Sequence, residues 1–231
     1  MAVRQENVVS HRRRLILRPH PTISRLQGRR TMDATAAKAI NEIIAILESQ
    51  HNFWPNSQGW APSNAIIRLE RARLDRSLSF AHTLQNYFAP FPKGKADAQQ
   101  ILGYATLRSL CEGAIQLFIT VYYNEYLSDN DVIKAKRKSV ETTVEPEDAF
   151  FDPLITFYLK KGDQKFGPHL TRVKMRGNAI HHFKDRDIGT QEELKADILV
   201  FRDFLWSINL QLPYPDSPLR DDDDSSWRYN E

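Results

Sequence analysis

The sequence has one cysteine, Cys111, so no internal disulfide can form, and this usage fits a reducing compartment. No window approaches the 18 or more apolar residues that mark a membrane-spanning helix. The richest stretch, Ala114 to Tyr123, is too short to span and reads as a buried helical segment. A non-membrane, cytoplasmic protein is therefore expected. Alternating strand patterns and fixed-period repeats are also missing. No phosphate-binding glycine loop, dinucleotide fingerprint, nucleophile elbow or cysteine–histidine metal spacing occurs, so neither cofactor nor metal is expected.

Charge is plentiful but unevenly placed. The net charge is +3, yet residues 1–30 hold eight arginines against one acid, Glu6, and the last sixteen residues hold six acids against two arginines. The stretch between is neutral overall, so the basic balance comes from the N-terminal arm rather than from a groove on a folded body. Residues 1–31, interrupted by Pro19 and Pro21, lack apolar periodicity. Three readings stay open for this arm: a transit peptide, a nucleic-acid-binding segment, or an extension preceding a true start at Met32. A secretory signal is not expected, because no apolar core followed by small residues is present. The chain thus divides into a basic disordered tail (1–31), one helical domain (32–215) and an acidic disordered tail (216–231).

Within the domain the helical period dominates. Asp33 can cap a first helix carrying Ile40, Ile43, Ile44 and Leu47. A second follows Ser63 as far as Phe88, before Pro90 and Pro92 break it. The third, about 97 to 126, is the most apolar and belongs at the centre of a bundle, with Arg108 and Glu112 paired one turn apart. Cys111 reads there as a small core residue. Residues 128–149 read as a short helix or loop. Asp152-Pro153 starts a short helix, Pro168 another that runs to about Phe183, and Thr190 to Glu193 form a capping box for the last. The expected fold is all-α, an antiparallel bundle of about six helices without a sheet.

The helix from Pro168 carries the candidate chemistry. On a helical wheel Leu170, Val173, Gly177 and Ile180 form the core stripe, with Arg176 on one side and His181 on the other. Glycine weakens a helix interior, so Gly177 needs a reason, either a close helix crossing or an open floor for a ligand. Asn178 lies four residues before His182 and can orient its ring, and Arg172, Lys174, Arg176 and Lys184 make the segment cationic. Glu112, if it faces Arg176, would hold the guanidinium.

The run Arg176-Gly177-Asn178-Ala179-Ile180-His181 resembles the R-X4–6-H motif of HEPN domains (higher eukaryotes and prokaryotes nucleotide-binding). The text through Gly189, the following helix with Leu-Pro-Tyr-Pro, and Leu110 to Tyr123 resemble uncharacterised bacterial members. The resemblance covers about 98 to 216 and implies a HEPN-like bundle acting as a homodimer. It implies metal-independent RNA cleavage in toxin–antitoxin or defence biology, with RNA as substrate and a cognate antitoxin as partner. His181 would take the 2′-hydroxyl proton and Arg176 would stabilise the phosphate, assisted by Asn178. Arg172, Lys174, His182 and Lys184 would bind RNA, with Glu112 and Gly177 in support. Many relatives carry a polar or basic residue directly after the motif arginine, where this chain has Gly177. The other reading is a catalytically silent HEPN-like module that binds RNA, a nucleotide or a protein.

Overall fold

The computed structural model describes residues 33–137 and 139–214, so the expectations for residues 1–31 and 216–231 lie outside the described residues. Among the described residues, eight α-helices run in the order α1 (Ala34–Phe53), α2 (Ser63–Arg71), α3 (Leu74–Thr83), α4 (Ala96–Val121), α5 (Tyr123–Ser128), α6 (Phe151–Lys161), α7 (Gly167–Gly177) and α8 (Gln191–Gln211). The fold is an all-α helical bundle. Among the described residues, no helix is long and apolar enough to cross a membrane.

Local signals start α1 and α8 where the sequence places them. Asp33 caps α1, its carboxylate accepting the Ala36 N–H at 2.8 Å. Thr190 and Glu193 close the reciprocal capping box of α8, satisfying two orphan backbone donors. Tertiary packing then fixes the rest. α4 is buried along Tyr104, Leu107, Cys111, Ala114 and Phe118, and it touches α2, α3, α6, α7 and α8. Side-chain pairs give the directions. Cys111 faces His169 and Tyr104 faces Arg176, so α7 runs antiparallel to α4. Glu42 meets Arg202 and Gln50 meets Asn209, so α1 lies alongside α8 in the same sense. The end of the described chain, Leu212 to Tyr214, is tied back at Tyr214, which accepts the Trp54 indole N–H at 3.0 Å.

Sequence expectations need correction at several points, among them the third helix, which ends at Val121 and is followed by the separate α5. The second helix is broken at residues 72–73 and continues as α3, then as a 3-10 turn over Leu84–Phe88. Asp152 lies in the first turn of α6 rather than at its cap, which is Phe150. Residues within 128–149 form a two-stranded antiparallel hairpin, β1 (Lys134–Arg137) with β2 (Val140–Thr143), pairing Lys134 with Thr143 and Lys136 with Glu141. All four β2 residues are exposed, so no buried face writes an alternating apolar pattern there.

Candidate functional site

α7 is shorter than its apolar pattern suggests. It ends at Gly177, and Asn178–Ile180 tighten into a 3-10 turn closed by the His181 N–H on the Asn178 carbonyl at 3.2 Å. His181 therefore lies beyond the helix, and its angular relation to Arg176 is set by the chain's exit rather than by a helical wheel. Ile180, expected in the core, is 42 % exposed. Leu170, Val173 and Gly177 do face inward.

Gly177 serves a helix crossing. A Cβ there would come within 2.7 Å of two carbons of the Arg108 side chain and 3.1 Å of the Tyr104 carbonyl oxygen. Of the two reasons for this glycine, close approach to α4 is the one observed, and no open floor lies beneath it.

Arg176 is only 7 % exposed and fully engaged. Nε donates to Asp187 at 2.9 Å, Nη1 to the Tyr104 hydroxyl at 2.7 Å and Nη2 to Glu193 at 2.8 Å. The guanidinium also stacks over the Tyr104 ring, 5.3 Å from its centroid. Burial alone would weaken the charge, but the bonds to Glu193, Asp187 and Tyr104 outweigh it and raise the pKa further. Glu112 takes no part in this. It pairs with Arg108 at 3.4 Å, and burial pushes its carboxyl above the ordinary value against that attraction. The expected support of Arg176 by Glu112 is thus replaced by Tyr104, Asp187 and Glu193.

A second buried cluster adjoins the first. Asp197, on the core stripe of α8 and 1 % exposed, accepts the Tyr104 hydroxyl at 2.8 Å and the Arg172 Nε–H at 3.0 Å. His169 Nδ1 lies 3.1 Å from the same carboxylate. A carboxylate only accepts, so Nδ1 carries the proton, and Nε2 faces the Cys111 sulfur at 3.9 Å. Burial would raise the Asp197 pKa, but bonds from His169, Arg172 and Tyr104 overcome it and hold the group well below the carboxylate range. Burial, aided by Asp197 and Glu112, pushes the Cys111 thiol well up. Cysteine, histidine and aspartate stand in line, yet the thiol stays protonated and away from solvent, so they stitch α4, α7 and α8 rather than supply a nucleophile.

The basic residues of this region, with Arg186 now added to those expected, therefore fall into two groups. Arg172 is committed to Asp197, and Lys174 on the opposite flank of α7 to Asp152. His181, His182, Lys184 and Arg186 lie exposed in the segment connecting α7 to α8, with no ionic or hydrogen-bond partner from another side chain among the described residues. The Asn178 side chain is half-buried and makes no bond to the histidines. Phe183, passed over in the sequence, is fully exposed between His182 and Lys184, and Met175 and Ile180 add apolar surface before it. Among the described residues, no group of three or more histidine, cysteine or acidic side chains could hold a metal ion. A surface groove of about 370 Å³, lined by Phe118, Tyr122, Tyr126 and Phe157, lies toward the far end of α4 from the Tyr104–Gly177 crossing. The connecting segment from His181 to Asp187 is an exposed surface.

Arg176→Ala should lower stability by about 2 kcal/mol, read as a shift in the denaturation midpoint, because it removes three hydrogen bonds and a packed stem, leaving the buried Tyr104 hydroxyl with its Asp197 bond alone. Half-exposed Asp187 and Glu193 recover water, which keeps the loss from being larger. An unchanged midpoint would show that the three bonds contribute nothing.

Comparison with protein-family models, curated proteins and solved structures finds no match to this chain.

Proposed function

We propose that this domain binds single-stranded RNA through the segment His181–Arg186. The observation that carries this reading is the division of the cations. Those of α7 are consumed by internal carboxylates, whereas His181, His182, Lys184 and Arg186 are left exposed around a fully exposed phenylalanine. Lys184 and Arg186, separated by Asp185 and next to one exposed ring, suit an unpaired strand whose phosphates meet the two cations while a base stacks.

The affinity of such a complex falls with salt, with a slope of about 0.7 per phosphate contacted on a single strand. Replacing Lys184 and Arg186 together by alanine should reduce that slope by about 1.4, measured by fluorescence anisotropy of a labelled oligonucleotide across salt concentrations. An unchanged slope in the double variant would place the contacts elsewhere.

A second reading, metal-independent endoribonuclease action, is favoured by the exposure of His181 at the position the HEPN resemblance marks. A neutral imidazole is a competent acceptor for a ribose 2′-hydroxyl proton. Attack of that oxygen on the adjacent phosphorus, with departure of the 5′-oxygen, leaves a 2′,3′-cyclic phosphate and a 5′-hydroxyl end. Arg176 points into its own subunit, so the composite site of a homodimer is where a second copy would add what one chain lacks. A cognate antitoxin is the protein partner this reading implies. Cleavage in EDTA that disappears in His181→Ala, with cyclic phosphate ends, supports it; intact RNA leaves the binding reading alone.

A further inference from the structure

Asp187 is bound as a ligand would be. Its Oδ2 accepts the Arg176 Nε–H at 2.9 Å, and its Oδ1 accepts the Gly189 N–H at 2.9 Å, so one carboxylate bridges an arginine and a backbone donor. The Gly189 bond is an Asx turn within the strap, so the contact open to exchange is the charge-assisted Arg176 Nε–H bond, one that a phosphate oxygen also accepts. Gly189 has φ +66°, and a Cβ there would come within 2.6 Å of the Arg176 guanidinium carbon, so the chain lies directly against the cation.

The other partners of Arg176 are fixed. Glu193 is held twice over, with Oε1 on Arg176 and Oε2 on the Thr190 N–H in the α8 capping box. Tyr104 is buried between Arg176 and Asp197. Asp187 differs, being 63 % exposed in its side chain and carried on a segment without regular structure. Beyond it, the segment is held at its far end by Gln100, whose amide donates to the Ile188 and Thr190 carbonyls at 3.1 and 2.7 Å.

We propose that Asp187 is a built-in stand-in for a phosphate, masking Arg176 until an incoming phosphate displaces it and releases the 181–187 strap. Ligand binding and strap opening are then one equilibrium, and the ligand's apparent affinity is reduced by the fraction of molecules that are masked. The proposal rests on the RNA-binding reading for its biological ligand, but the exchange itself concerns phosphate and Arg176 alone. Asp187→Asn keeps an oxygen for the Gly189 N–H while presenting an amide to the guanidinium. Gly189→Ala presses the strap off the cation without changing any charge.

Trypsin reads the strap directly, because Lys184 and Arg186 are its cleavage sites within the segment. In the intact protein, inorganic phosphate should accelerate cutting there relative to chloride at equal ionic strength. Both variants should be cut faster without phosphate and respond little to it. In parallel, each should bind a labelled single-stranded RNA about fivefold more tightly than wild type, the size expected when one exposed ion pair is removed as competitor. No phosphate acceleration in wild type, or faster cutting with unchanged or weaker RNA affinity in both variants, overturns the mask. Absence of RNA binding in all three proteins would instead overturn the RNA reading, while the phosphate response still decides the exchange.

Discussion

Replacing Asp197 by alanine is expected to destabilise the domain by about 3–5 kcal/mol, the usual consequence of removing one partner from a buried charged cluster. The loss leaves the His169 Nδ1 proton, the Tyr104 hydroxyl and the inner edge of the Arg172 guanidinium without their shared acceptor. Against a total of about 5–15 kcal/mol for a domain, this is enough to unfold a substantial fraction near body temperature. Denaturant titration followed by helical circular dichroism measures it directly. A midpoint shift under about 1 kcal/mol would mean that water or repacking replaces the carboxylate.

The same carboxylate makes the domain acid-sensitive. Its pKa in the folded chain lies below that of the unfolded chain, so its contribution is complete above the unfolded value, about 3.9, and fades as pH falls below it. The acid unfolding of Asp197→Asn should be shallower than that of wild type below about pH 4, because the substituted amide does not titrate there.

The second large effect concerns binding. Phe183→Ala is expected to weaken single-stranded RNA binding by about 1–3 kcal/mol, roughly 5- to 150-fold, if a base stacks on this ring. The fully exposed side chain buries no area in the folded protein, so the substitution should leave thermal stability unchanged within about 0.5 kcal/mol. This separation of effects distinguishes a contact residue from a structural one. Arg176→Ala should instead weaken stability and binding together, because it removes three internal bonds and also the guanidinium that the incoming phosphate would reach.

The helices were legible where a local rule writes them. Asp33 before α1 and the Thr190–Glu193 pair before α8 act within one turn, so the residues that cap are also the residues that announce the helix. The hairpin at 134–143 was not, because exposed strands rich in lysine, glutamate and threonine need no apolar alternation. The early end of α7 was also hidden. Ile180 continues the apolar spacing, but the tight crossing at Gly177 and the 3-10 turn after it send the chain outward.

The site was half legible for the same reason. His181, His182 and Lys184 were found from local text, but the partners of Arg176 come from 72 residues earlier and from 11 and 17 residues later in the chain. One signal for the buried cluster was present. Asp197 sits among Leu194, Ile198 and Phe201 at the spacing of the α8 core, and an acid on a core stripe requires buried partners. His169, beside Leu170 and before Val173, is the matching polar residue on α7.

Ultraviolet crosslinking of the full chain to a single-stranded RNA oligonucleotide, with the modified residues located by mass spectrometry, addresses the RNA contact directly. Adducts on the peptide spanning His181 to Arg186, centred on Phe183 and lost in Phe183→Ala, are the expected result. Adducts confined to the basic arm of residues 1–31, or to the surface around the Phe118–Tyr122 groove, would contradict it.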